Sequence, residues 1–147
     1  MKTFLLVCIV VITGVSVVRA QELGVRFGDI SAGHAAIDGV MGIGKFNRVH
    51  GDVSFGSGGV GVDLLWDFFH RPIGGAEGLS WYIGVGPFAF LGDPFQLGVV
   101  AEIGLEYHFK EIPLAIGADW RPFFRIVKET DFGGDGFGLN IRYVFNK

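Results

Sequence analysis

The feature that most constrains the fold is a strict alternation of apolar and polar residues, which recurs in short segments along the chain. Residues 99–109 read VVAEIGLEYHF, with an apolar side chain at every second position and Glu102, Glu106 and His108 on the other face. Successive side chains of a β-strand point to opposite faces, so the segment predicts a strand with one apolar and one ionisable face. The chain after residue 20 shows no helical period, and we therefore expect an all-β fold.

The same alternation predicts eight strands in all, at 22–30, 35–45, 48–56, 59–69, 79–88, 96–109, 114–126 and 136–145. Segment 35–45 alternates poorly because glycine and alanine blur its faces, and we include it because it must link two clear strands. Short connectors rich in Gly, Pro and Asp, such as GDPF at 92–95, separate the segments. This regular spacing indicates consecutive hairpins. We expect an eight-stranded antiparallel up-and-down β-barrel.

The first 20 residues have a composition of their own. Lys2 precedes an almost unbroken apolar run over residues 4–18, and small residues stand before a cleavage point after Ala20. This pattern is typical of a secretory signal peptide, and the run is shorter than the roughly 20 residues of a membrane-spanning helix. We predict a signal peptide at 1–20 and a single β-barrel domain at 21–147.

Charge and hydropathy narrow the class of protein further. Removing Lys2 and Arg19 from the 12 basic residues leaves 10 against 15 acidic residues, a net charge of −5. An acidic balance argues against nucleic acid as a partner. The mean hydropathy is +0.46 although no second helix-length apolar run exists. The apolar residues are therefore distributed over strand faces, and the only cysteine, Cys8, lies in the predicted signal peptide.

Alternation alone leaves open which face of the sheet lines the barrel. A soluble barrel has its apolar face inside, whereas a membrane barrel has it outside. Small residues on the polar face suit a crowded lumen: Gly24, Gly61, Gly84, Gly86, Gly104, Gly117 and Gly138. Aromatic residues near strand ends suit interfacial girdles: Trp66, Phe68, Trp81, Tyr107, Phe109, Trp120, Tyr143 and Phe145. We predict a transmembrane barrel with the polar face inside.

Acidic residues and arginines share the inward parity, which suits pairing in a confined interior. The predicted lumen polar cluster comprises Arg26, Asp63, Asp67, Glu102, Glu106, Asp119, Arg121, Arg125, Asn140 and Arg142. A four-residue loop at 110–113 sets a register that places Glu102 opposite Arg121. We expect the cluster to fill the lumen, because an eight-stranded interior is just wide enough for side chains. A gated polar path or a ligand site is the alternative.

Few residues suggest chemistry. Ser80, His108 and Asp119 share the inward parity, but no nucleophile elbow surrounds the serine. The histidines have neither HxH nor HExxH spacing, and GSGGVG at 56–61 precedes a strand rather than a helix. We predict no enzyme, no metal and no cofactor.

The final segment FGLNIRYVF, residues 137–145, resembles the C-terminal signature of bacterial outer-membrane barrels, whose last strand ends in an aromatic residue. GVGPFAFLGDPF, GLEYHF and GADWRPFF are similar to segments of small eight-stranded outer-membrane barrels of the Bacteroidetes type. The chain departs from the signature by adding Asn146 and Lys147. The resemblance implies a Gram-negative outer membrane, termini in the periplasm and a narrow filled lumen. It also implies membrane lipid and the barrel-assembly machinery as partners.

These observations predict a monomeric, non-enzymatic outer-membrane protein with a structural, surface-interaction or minor, porin-like solute-passage role. The connectors expected to face outward are short, which argues against a large adhesive surface. One rival is a soluble secreted or periplasmic barrel that binds a small apolar ligand and has its faces reversed. A second rival is a lipid-modifying barrel enzyme that would need Ser80 and His108.

Overall fold

The structure is a computed structural model that describes residues 21–145 except Ser57 and Lys128. The predicted signal peptide, residues 1–20, lies outside the described residues, as do the last two residues of the chain. Within the described part of the chain there is no helix long and apolar enough to cross a membrane.

The described residues form ten β-strands. Their bounds are β1 Glu22–Ile30, β2 Gly33–Gly42, β3 Arg48–Gly56, β4 Gly59–Pro72, β5 Leu79–Gly92, β6 Gln96–His108, β7 Leu114–Trp120, β8 Phe123–Val127, β9 Asp131–Gly133 and β10 Phe137–Val144. Each strand pairs antiparallel with its sheet neighbours, and β10 pairs with β1 to close the sheet. The predicted fold class, an eight-stranded antiparallel up-and-down barrel, is confirmed.

The ten strands occupy eight positions around the barrel, because the seventh position is divided into β7 and β8, and the eighth holds the short strand β9 before β10. The predicted strand 114–126 is observed as β7 and β8, which both pair with β6 on either side of Arg121 and Pro122. Proline has no N–H for a ladder bond, and its carbonyl instead accepts a 2.9 Å hydrogen bond from the Ala101 amide. The predicted strand 136–145 appears as β10, and β9 precedes it as a short partner of β8.

The register against β6 is the same on both sides of that interruption, since Ile103 pairs with Trp120 and Val100 pairs with Phe123. Gly104 pairs with Asp119, and the Phe109 amide donates to the Leu114 carbonyl at 3.0 Å, as the four-residue loop predicts. Two hairpin strands are longer than their alternation suggested, since β4 and β5 pair from Gly59 and Gly92 to Pro72 and Ser80. In β4 the alternation fades near residue 69 because a register shift lies between Trp66 and Phe69.

The barrel has two distinct ends. We call the end that holds the start of β1 and the end of β10 the terminal end, and the opposite one the loop end. The hairpins at 43–47, 73–78 and 109–113 close the terminal end; those at 31–32 and 93–95, and the one that joins Gly56 to Gly59, close the loop end. The connection from β8 through β9 to β10 also lies at the loop end.

The two faces of the barrel differ in chemistry. Outward positions carry large exposed apolar side chains on every strand; Trp66 on β4 is 51% exposed and Leu139 on β10 is 63% exposed. Arg71, a charged residue at an outward position, lies at the end of β4. Inward positions hold most of the buried charges. The barrel is therefore apolar outside and polar within.

Candidate functional site

Charged and polar side chains fill most of the barrel interior. Those less than 10% exposed, here called the interior network, are Glu22, Arg26, Asp38, Arg48, His50, Asp52, Ser54, Asp63, Asp67, Glu102, Glu106, Asp119, Arg121, Asn140 and Arg142. They come from seven strands and from the break between β7 and β8. Strand alternation directs them inward. Because an unpaired buried charge costs several kcal/mol, the arrangement of their partners decides whether the barrel is stable.

Arg26 on β1 pairs with Asp119 on β7, two strands away around the barrel. Its Nε lies 3.1 Å from both carboxylate oxygens of Asp119, and its Nη2 lies 2.5 Å from Oδ1. Its Nη1 donates to the Asp29 carbonyl at 2.9 Å, and the Asn140 amide donates to Asp119 at 3.3 Å. Both charged side chains are fully buried. The pair therefore links the strands on either side of β10.

Arg121 lies in the break between β7 and β8 and reaches across the lumen. Its Nε donates to Glu102 on the adjacent β6 at 2.9 Å, and its Nη1 donates to Asp52 on β3 at 2.5 Å. Asp63 and Asp119 both lie 3.7 Å from the same guanidinium. One arginine thus neutralises carboxylates from opposite walls.

Glu106 on β6 accepts hydrogen bonds from two further arginines. Arg48 on β3 donates to Glu106 Oε1 and to Asp67 Oδ2, both at 2.6 Å. Arg142 on β10 donates to Glu106 Oε2 at 3.1 Å and to Asp38 Oδ2 at 2.7 Å. These contacts join five strands in one set of charge-assisted hydrogen bonds.

The imidazole of His50 lies in the middle of the network and is fully buried. Its Nδ1 is 2.8 Å from Glu102, and its Nε2 is 2.6 Å from Asp38. An ionised carboxylate only accepts hydrogen bonds, so a doubly protonated imidazole would satisfy both contacts. Nη2 of Arg121 and Nη2 of Arg142 also lie 3.1 Å and 3.2 Å from Nε2 of His50. Eight carboxylates surround His50 and the four buried arginines, so the network is acidic overall even when His50 is charged.

Apolar and aromatic groups complete the interior. The fully buried Tyr82 ring lies 4.4 Å from the guanidinium carbon of Arg48 and covers Gly104 on the neighbouring strand. This contact has the geometry of a cation–π interaction. Closer to the loop end, Leu65, Phe88 and Val100 form a small apolar cluster. The interior is therefore charged through its middle and apolar on one side near the loop end.

Two histidines at the terminal end extend the network toward solvent. His108 Nε2 lies 2.7 Å from Glu22 Oε1, and His70 Nε2 lies 2.6 Å from Glu106 Oε1. Their side chains are 30% and 27% exposed, respectively, so this end of the lumen is the wetter end of the network.

The structure brings nine of the ten residues of the predicted lumen polar cluster into the interior network. Glu102 faces Arg121, as the predicted register requires. Arg125 is the exception: it points inward but pairs opposite Gly98 near the loop end, beyond the reach of the network carboxylates. Its nearest carboxylate is the exposed Asp131, at 3.9 Å.

Sequence reasoning left several network residues out of the predicted cluster: Glu22, Asp38, Arg48, His50 and Asp52. Their parity was available as a signal, since His50 and Asp52 alternate with valines in a predicted strand. Asp38 lies in the poorly alternating segment, where the faces could not be assigned. The pairing of Glu102 with Arg121 could be predicted because one hairpin joins their strands. The hydrogen-bond partners of His50 lie on two other strands, β2 and β6.

Among the described residues, three groups of side chains have the donor atoms of a metal site: Glu22, Glu106 and His108; Asp38, His50 and Asp52; and His50, Asp67 and Glu102. Within each group the donor atoms lie within 4.8 Å of one another. Each group also contains carboxylates that already accept hydrogen bonds from arginine or histidine. A cation would have to displace those donors.

The three residues considered for nucleophilic catalysis do not form a relay. His108 contacts Glu22 at the terminal end, and Asp119 is held by Arg26. Ser80 lies on β5 opposite Glu106 in the strand register.

The fold and this interior define a class of protein: a small eight-stranded up-and-down β-barrel with an apolar exterior and a charged, cross-linked interior. Comparison of the chain with protein-family models, with curated proteins and with solved structures gave no match.

Proposed function

We propose that the protein is an integral outer-membrane β-barrel whose lumen is closed by the interior network. Its role is structural or surface-interacting rather than enzymatic. The observation that carries the proposal is the arrangement of the two faces. The apolar face points outward on every strand, and the network of buried charges lies inside.

The exterior suits a hydrocarbon solvent. Soluble monomers rarely expose contiguous apolar patches above a few hundred Å², whereas here large apolar side chains are exposed on all ten strands. A membrane-spanning strand needs about 9–11 residues. The unbroken strands β1 to β6 have 9 to 14 residues and meet that length.

Aromatic side chains at the terminal end suit a membrane–water interface. Tyr107 packs edge-to-face on Phe109 with ring centroids 5.0 Å apart, and Tyr143 packs in the same way on Phe145 at 5.1 Å. The Tyr–Phe pairs stand at the ends of β6 and β10, where interfacial aromatic residues anchor membrane barrels.

The closed lumen follows from how the arginines span it. Arg121 joins β6 to β3, and Arg142 joins β10 to β2 and β6, so the bonds cross the interior rather than follow the wall. A solute would have to break several charge-assisted hydrogen bonds to pass. We therefore favour a structural or surface-interaction role over solute passage.

The two rivals need different features. A soluble barrel that stores an apolar ligand needs an apolar lumen, whereas buried carboxylates and arginines occupy most of this one. A lipid-modifying enzyme needs a nucleophile that donates to a base, and among the described residues no hydrogen bond joins the Ser80 hydroxyl to His108.

Membrane fractionation tests the proposal. The full chain, expressed with its N-terminal segment in a Gram-negative host, is expected in the outer-membrane fraction and is expected to be extracted only by detergent. Retention through washes with high salt and with carbonate at alkaline pH supports embedding. Release of the folded barrel by salt or by freeze–thaw would contradict it and favour the soluble rival.

A further inference from the structure

A cavity of about 130 Å³ opens into the loop end of the barrel, above the interior network. Phe88, Val100 and Phe123 form its apolar wall, and the Phe88 and Phe123 rings pack edge-to-face at 5.8 Å. Polar side chains of Gln96 and Arg125 also line it. An apolar wall with a few converging polar groups is the usual composition of a small-molecule site.

One hydrogen-bond donor of Arg125 has no acceptor in this cavity. Its Nε is buried, and no hydrogen-bond partner for that atom lies among the described residues. Its guanidinium carbon lies 5.7 Å from the Phe123 ring, and Asp131 is no closer than 3.9 Å. Buried donors that lack an acceptor are costly, so an anionic ligand beside Arg125 would relieve that cost.

The other charged groups around the cavity already have partners or water. Arg121 is bonded to Asp52 and Glu102, and Asp63 accepts a hydrogen bond from the Ser31 hydroxyl. Two acidic groups at the rim, Asp29 and Asp135, are exposed to solvent. The buried atom at the cavity that still lacks a partner among the described residues therefore belongs to a cation, Arg125, whose side chain is 24% exposed. This favours an anionic ligand over an amine.

We propose that this cavity binds a small carboxylic acid with an aromatic or branched apolar body. The carboxylate accepts hydrogen bonds from the Arg125 guanidinium, and the apolar body packs between Phe88, Val100 and Phe123. A dry apolar cavity of about 150 Å³ accepts benzene, so the present volume suits a ring of that size with its carboxylate at the open side. The site does not depend on whether the barrel is embedded in a membrane.

Isothermal titration calorimetry of the full chain, folded in detergent micelles, tests the site with three probes of similar shape: benzoate, benzamide and benzylamine. Benzoate is expected to bind about 10- to 100-fold more tightly than benzamide, because charge-assisted hydrogen bonds exceed neutral ones by that much. Benzylamine is expected to give no measurable heat. Equal affinity for benzoate and benzamide, preference for benzylamine, or no binding of benzoate would each overturn the proposal.

Substitution of the arginine provides the second readout. Arg125→Gln keeps most of the side-chain volume and is expected to weaken benzoate binding about 10- to 100-fold while leaving benzamide binding unchanged. Arg71→Gln, at an outward strand end far from the cavity, is the matched control and should bind benzoate as the unmodified chain does. Unchanged benzoate affinity in folded Arg125→Gln would overturn the assignment. If that variant does not fold, the ranking of the three probes on the unmodified chain decides alone.

Discussion

The Arg142 side chain connects three strands of the barrel through hydrogen bonds. From β10 it donates to Asp38 on β2 and to Glu106 on β6, and the guanidinium is fully buried. Such a buried ion pair contributes less to the free energy of unfolding than its Coulomb energy suggests, because both charges lose their hydration. Removing one partner of the pair destabilises the barrel strongly, since the remaining carboxylates are left buried without an opposite charge.

Replacing Arg142 by an uncharged residue should therefore destabilise the barrel severely. Arg142→Met keeps much of the volume, and we expect it to lower the free energy of unfolding by about 3–5 kcal/mol. The measurement is denaturant unfolding of the chain in lipid vesicles, followed by tryptophan fluorescence. Arg71→Met removes an exposed arginine that stacks 4.1 Å from the Phe46 ring, and should cost about 1 kcal/mol or less. Similar losses in the two variants would contradict a network held by buried ion pairs.

The contacts of a residue can be predicted from the sequence only where the local alternation shows which face of the strand it occupies and one hairpin fixes its partner. The parity of Glu102 and Arg121 was clear, and a single hairpin then fixed their opposition. His50 shares an equally clear parity, but its partners on β2 and β6 are set by how the whole sheet closes. Local alternation carries no information about that closure. Arg125 has the correct parity but the wrong depth, because alternation specifies the face and not the height along the barrel.

At the level of elements, the seam between β1 and β10 closes the barrel. Its register runs from Glu22 opposite Val144 to Gly28 opposite Gly138. A Cβ on Gly24 would overlap the Ile141 carbonyl of the facing strand. Glycine is therefore needed there for the two strands to approach, and the inward glycines reflect close backbone packing as well as limited lumen volume.

A single methyl group at this seam should impair closure. We expect Gly24→Ala to cost about 3 kcal/mol or more, since backbone at a closed seam cannot move aside as a flexible side chain can. The measurement is the fraction of compact, faster-migrating barrel on unboiled gels after refolding into detergent. Gly74→Ala lies in the hairpin at 73–78 with open space around its Cβ and should refold as the unmodified chain does. A normal compact fraction for Gly24→Ala would show that the seam tolerates the extra atom.

Alternation and turn residues predict the number and order of the eight barrel strands, because each hairpin is a local structure. The weak segment predicted at 35–45 is observed as β2 at Gly33–Gly42, and it links the two flanking strands as expected. The extra strand β9 was not predicted. It pairs with β8 over three residues only, and a run so short has no measurable alternation. The interruption of the predicted strand 114–126 coincides with Pro122, which lacks a ladder donor.

For the whole molecule, the same alternation fits a soluble or a membrane barrel, because inverting both faces leaves the pattern unchanged. Glycine on the polar face and aromatic residues near the strand ends favour a polar interior. In the structure Trp66 and Trp120 point outward, with 51% and 37% exposure, and Trp81 packs on Phe69 at 4.6 Å on the outer face. Outward tryptophans without outward mid-strand charges support the proposed contact with lipid.

Lipid contact at Trp66 is the most direct test of the membrane assignment. A chain that retains Trp66 alone, with Trp81→Phe and Trp120→Phe, is reconstituted into vesicles whose acyl chains carry bromine, which quenches tryptophan only on contact. We expect brominated acyl chains to quench Trp66 strongly, and aqueous acrylamide to quench it weakly. Strong quenching by acrylamide together with none by brominated lipid would place the apolar face in water or against protein, and would contradict the membrane barrel.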